Sequence, residues 1–171
     1  MNKILLICIS ILLFAACHHK PQVDFFTKLS QYCGKTYYGE TVYPDDPGHD
    51  FAGKKLVMHV KECTDTEIRV PFKVGEDTSR TWIFTKTDKG LLLKHDHRHA
   101  DGTPDEITMY GGYANAQKLQ ADFAADEHTA QLIPDAATNV WSLSFDSENK
   151  TFSYYLKRHD KPRYKAIFNL K

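Results

Sequence analysis

The sequence predicts an all-β domain, an antiparallel up-and-down barrel or sandwich of about nine strands with a short N-terminal helix. Three observations predict it. Short runs rich in β-branched and aromatic residues alternate apolar with polar, the two-residue period of a strand with one buried face. These runs recur at intervals of roughly ten residues, with Gly, Asp, Asn and Pro at the breaks, as in a meander of hairpins. Beyond residue 34 the chain is nearly all of this kind, and aromatic residues make up 12% of it, ample for an interior.

Residues 24–34 read as the helix. Phe25, Leu29, Tyr32 and Cys33 fall on one face at helical spacing, and Gly34 is a C-terminal stop. The stripe suits packing across an open end or face of the sheet. Residues 35–43, rich in Tyr and Thr, make the first strand, and Pro44, Asp45, Asp46, Pro47 and Gly48 make a loop. Residues 54–63 carry Leu56, Met58 and Val60 on one face, and residues 67–74 turn Ile68, Val70, Phe72 and Val74 inward. A turn over residues 75–79 leads to a strand over residues 80–87 with Trp82 and Phe84 on one face. Lys89-Gly90 then turns the chain into a strand over residues 91–99, and residues 107–113 read as its return.

Residues 115–139 break the pattern; within them Asp126 caps a short helix that Pro134 stops. Strands over residues 140–145, 151–157 and 164–170 close the chain, with Trp141, Leu143, Tyr154, Leu156, Tyr164 and Phe168 among their inward positions. About nine strands of this length can close around a small cavity. This order, a helix and then an up-and-down meander, resembles that of lipocalin-type barrels. The likeness lies in element order alone. Where lipocalins carry Gly-x-Trp near the first strand, this chain has Gly34-Lys35-Thr36-Tyr37, so no ligand residue of that family carries over.

The N-terminus has its own logic. Lys3 gives a positive start, and residues 4–14 are an apolar run of about eleven residues, too short to span a bilayer. Leu13-Phe14-Ala15-Ala16-Cys17 resembles the lipobox of bacterial lipoproteins, with Phe14 where Leu is usual. The resemblance implies cleavage before Cys17, acylation of Cys17 (palmitate among the chains) and anchoring in the cell envelope. His18 follows the cysteine where Asp would imply inner-membrane retention, so the resemblance implies the outer membrane, facing the periplasm, in a Gram-negative source. A plain secretory signal with a chance cysteine is the alternative. The chain divides into a signal peptide at residues 1–16, a tether at 17–22 and a single β-barrel domain at 23–171. The block over residues 94–106 also resembles that of exported bacterial proteins, a likeness that implies no activity.

Of four cysteines, Cys8 leaves with the signal and Cys17 takes the lipid, so Cys33 and Cys63 remain. In an oxidising compartment they read as a disulfide, with two buried thiols as the alternative.

The densest chemistry is Lys94-His95-Asp96-His97-Arg98-His99, which holds three of the nine histidines. On a strand, Leu91, Leu93, His95, His97 and His99 share one face, and Leu92, Lys94, Asp96 and Arg98 the other. The apolar leucines turn the histidine face inward, and the alternating charges suit a solvated outer face. If His99 lies opposite Glu106, Thr108 and Tyr110 join the histidine face. If it lies opposite Ile107, Ile107 and Met109 join it, and this second register is favoured because it keeps apolar residues together. Histidines two apart on a strand have Cα atoms roughly 6.6 Å apart. At most two of His95, His97 and His99 could therefore share a transition-metal ion, with a further ligand from His59, His128, Glu106 or a turn aspartate. A hydrogen-bonded structural ladder is the other reading.

Basic and acidic residues balance at 22 each and no basic cluster stands out, which argues against a nucleic-acid partner. No Gly-x-Ser-x-Gly or His-Glu-x-x-His motif occurs. Three functions remain. The first is a membrane-anchored binding module for a small apolar or amphiphilic ligand or a metal, the second an envelope enzyme pairing a histidine with Asp96, Asp101 or Glu106, and the third a structural lipoprotein with no small-molecule site. Arg69, Arg80 and Arg98 read as solvated or strand-paired.

Overall fold

The structure is a computed structural model that describes residues 24–44, 46–114 and 118–171. The segments expected as signal (1–16) and tether (17–22), with Cys17, lie outside the described residues.

The strands are β1 (Thr36–Tyr43), β2 (Leu56–His59), β3 (Glu62–Cys63), β4 (Glu67–Val74), β5 (Asp77–Thr87), β6 (Gly90–His97), β7 (Tyr110–Ala114), β8 (Gln120–Ala125), β9 (Asn139–Asp146), β10 (Thr151–Arg158) and β11 (Lys161–Asn169). Each pairs antiparallel with its neighbour, β1 closes on β11, and β2 closes on β4, so ten strands form a barrel with β3 as the extra one. The up-and-down barrel of about nine strands is as expected, and the two strands beyond nine have local reasons. The run over residues 54–63 is divided. β2 pairs with β1 and β4, but the Val60 N–H goes to the Lys35 carbonyl and the Lys61 N–H to that of Arg69, so β3 continues along β4 alone. And β8 lies inside the segment that breaks the sequence pattern: Ala121 and Phe123 face the core, but alanines on both faces hide the alternation.

One end of the barrel is plugged. Helix α1 (Phe25–Ser30) starts at Asp24, whose side chain accepts the Thr27 N–H at 2.7 Å. Phe25, Phe26 and Leu29 are all buried. The Phe25 ring sits 5.4–6.3 Å from those of Phe84, Phe123, Phe145 and Phe152, and Tyr32 stacks on Phe145. Cys33, just past the helix, is bonded to Cys63 of β3, with Cα atoms 6.2 Å apart. The helix is thereby stapled across the end where β5 and β9 finish and β6 and β10 begin.

The opposite end is partly roofed by the β1–β2 connection, which brings His49 and Phe51 over it, and by α2 (Glu127–Leu132) with a 3-10 turn at Pro134–Ala136. α2 is capped by Asp126 as expected. Two glycines let β7 approach its neighbours: a Cβ on Gly111 would meet the Leu93 carbonyl oxygen at 2.0 Å, and one on Gly112 that of Ala124 at 1.7 Å. Fully buried Thr129 of α2 then hydrogen-bonds both the N–H and the carbonyl of Gly111, fixing β7 where it presents Tyr110.

Candidate functional site

The roofed end holds a cavity of about 290 Å³. Its position follows from strand parity. Inward residues near the plugged end are Phe and Leu, whereas the same rows continue at the other end as Arg80 and Trp82 on β5, His95 and His97 on β6, Asn139 and Trp141 on β9, and Tyr154, Leu156 and Arg158 on β10.

His95 and His97 do share the inward face, but the row ends there. β6 stops at His97, and the chain turns so that the His99 N–H meets the Thr103 carbonyl and the His99 side chain is exposed. The favoured register is corrected too. His95 pairs with Tyr110, which is the register that would set His99 against Glu106. Tyr110 therefore joins the histidines, while Ile107 and Met109 are exposed. The return strand shortens to Tyr110–Ala114 because Met109, at φ 56°, breaks the ladder. Thr108 is diverted to the other side, where it accepts the His97 N–H and donates to Asp96. Asp96, expected to be solvated, is buried at 5% exposure, held by Thr108 and the Arg98 Nε.

The histidines engage tyrosines. The His95 ring stacks on Tyr110 at 4.8 Å, its Nε2 lies 3.0 Å from the Tyr154 hydroxyl and its Nδ1 3.2 Å from the Tyr110 carbonyl. His97 Nε2 lies 3.0 Å from the Tyr110 hydroxyl. The other residues raised as metal ligands are elsewhere: His59 bonds Thr36 near the plugged end, and Glu106 and His128 are exposed. Among the described residues no group of three or more His, Cys, Asp or Glu side chains gathers as a ligand set. Nor does a carboxylate orient either ring: Asp96 is turned outward, and Asp101 is occupied by Thr103.

Burial sets the protonation states. Desolvation pushes His95 down to about 3, and desolvation followed by the Arg80 charge lowers His97. Burial pushes Tyr110 up to about 12 and also raises Tyr154 and Tyr164. At neutral pH His95, His97, Tyr110, Tyr154 and Tyr164 are thus neutral, and the guanidinium and carboxylate groups of the wall are those of Arg80, Arg158 and the exposed loop residue Asp50. Arg80 pairs with Asp77 and lies over Phe51; the Nε of Arg158 donates to Asn139 at 2.9 Å.

No protein-family model, curated protein or solved structure matches the chain.

The sequence gives His95 and His97 and misses the arginines. Arg80 shares its parity with Trp82 and Phe84, and Arg158 with Leu156 and Tyr154, which is the sequence signal of their inward orientation.

His95 makes stability depend on pH. Its folded pKa lies below the unfolded value of about 6.5, so between those values the unfolded chain binds the extra proton, and stability falls as pH drops. The expected loss from this residue is about 3 kcal/mol between pH 7 and pH 4. Urea unfolding at both pH values should show a drop that much smaller in His95→Gln. Parallel losses in the two proteins would disprove the assignment.

Proposed function

We propose that the chain is a membrane-anchored envelope protein whose barrel binds one small amphiphilic molecule in the cavity at its roofed end. The observation that carries this reading is the change in the inward rows. The barrel fills one end with a helix and apolar side chains, yet lines the other with hydroxyls, imidazoles and guanidiniums around open space. A protein selected only to fold would gain from filling that space. At about 290 Å³ the cavity lies at the lower edge of the usual range for ligand sites, which suits a one- or two-ring compound or a short chain. The anchor rests on the sequence up to Cys17.

The test uses the full chain and its Cys17→Ser variant. The variant is expected to leave the membrane fraction or to stay unprocessed. Native mass spectrometry of the purified protein is expected to show a small-molecule adduct. Both tryptophans of the chain, Trp82 and Trp141, line the cavity, so emptying it should shift the emission. An adduct-free mass, with emission indifferent to a refolding cycle that strips bound molecules, would count against the binding reading. Unaltered membrane partitioning of the variant would count against the anchor.

A further inference from the structure

Resting on the small-ligand reading, we propose that the occupant is a compact organic carboxylate, its ring or short chain among the aromatic side chains and its anionic head on Arg158.

Charge comes first. None of the strand residues lining the cavity is acidic, although two of them are arginines. Asp50 belongs to the β1–β2 connection and is exposed, and Asp77 is taken up by Arg80. Desolvation holds His95 and His97 towards their neutral forms, so the positive charge of the inner wall is that of the arginines. A ligand carrying its own negative charge supplies what the inner wall lacks.

The second observation is how Arg158 is held. Its Nε–H donates to Asn139 Oδ1, and Asn139 is 4% exposed, so the guanidinium is oriented by a buried partner. Among the described residues no carboxylate lies within ion-pair distance of Arg158, and its terminal nitrogens have no protein acceptor. A guanidinium with its two terminal groups open is a fork that fits both oxygens of a carboxylate. Arg80, whose charge Asp77 offsets, is the auxiliary cation.

The third is how the rings are turned. Trp82 is sandwiched between Phe72 at 4.7 Å and Tyr154 at 5.0 Å, both nearly parallel to it. Tyr110 covers His95, and His49 covers Tyr164. With these faces taken by one another, Trp82 turns an edge to the cavity. Ring edges carry the positive end of the aromatic quadrupole, whereas an organic cation needs an open face. At Trp82, whose two faces are both taken, the packing therefore works in the same sense as the arginines.

The test is isothermal titration of the full chain, in nanodiscs of zwitterionic lipid, with 2-naphthoate and its neutral isostere 2-naphthamide. The acid is expected to bind at least about tenfold more tightly, the effect of a charge-assisted hydrogen-bond pair. Arg158→Gln should abolish the preference, weakening the acid by at least about tenfold and the amide by much less. Arg158→Lys should retain part of it, which separates loss of charge from loss of fold. Equal affinities for acid and amide in the wild type, or an Arg158→Gln variant that weakens both alike, overturn the carboxylate assignment and leave the small-ligand reading in place. No heat and no shift in tryptophan emission with either compound overturns both.

Discussion

Phe25→Ala is expected to lower the stability of the domain by about 3–5 kcal/mol, the usual loss for a fully buried phenylalanine. Phe25 has no exposed surface and is the residue through which α1 enters the barrel, with four phenylalanine rings around it. Those rings come from β5, β8, β9 and β10, which are fixed by their ladders and cannot close the gap. The cavity term therefore adds in full to the transfer term. A small domain holds only about 5–15 kcal/mol in total, so the variant should unfold at a markedly lower urea concentration. Phe26→Ala is the comparison: Phe26 is also buried, but it packs at the rim of the plug, under the Lys86 ammonium, and should cost less. A loss below about 1.5 kcal/mol for Phe25→Ala would mean that the helix is not the plug described.

How much of this was legible in sequence depended on where tertiary context intervened. β4, β9, β10 and β11 were readable because each has a solvated face, so their alternation is unmasked. The capping of α2 by Asp126 was readable because a cap is local. β8 was not, since alanine neither marks a buried face nor rules one out. The register of β7 was misread for a physical reason. Keeping Ile107 and Met109 with the histidines favours burial in a straight ladder, but the left-handed turn at Met109 takes those residues out of it. What gains instead is a stacked and hydrogen-bonded Tyr110, a benefit invisible to an apolar count. The arginines were missed for a related reason. Charged residues at strand ends are usually solvated, and only the closure of β1 on β11 and of β2 on β4 shows that the ends of β5 and β10 border a partly roofed cavity.

The helix–barrel staple gives the second large effect. Replacing Cys33 and Cys63 together with serine is expected to cost about 3.5 kcal/mol, from the loop entropy restored to the unfolded chain. The bond closes a loop with a sequence separation of 30 that contains all of β1 and β2, so it restricts the whole region in which β1 must meet both β2 and β11. The cost should fall on stability and spare the cavity, because both cysteines lie at the plugged end and neither lines the cavity. Urea unfolding of the oxidised wild type and of the double variant measures the first part, and isothermal titration at a temperature where both are folded measures the second. A stability difference under about 1 kcal/mol would mean that the unfolded chain is already compact in this region. A changed ligand affinity at equal folding would mean that the plug and the cavity are coupled through the barrel, contrary to the separation of the two ends.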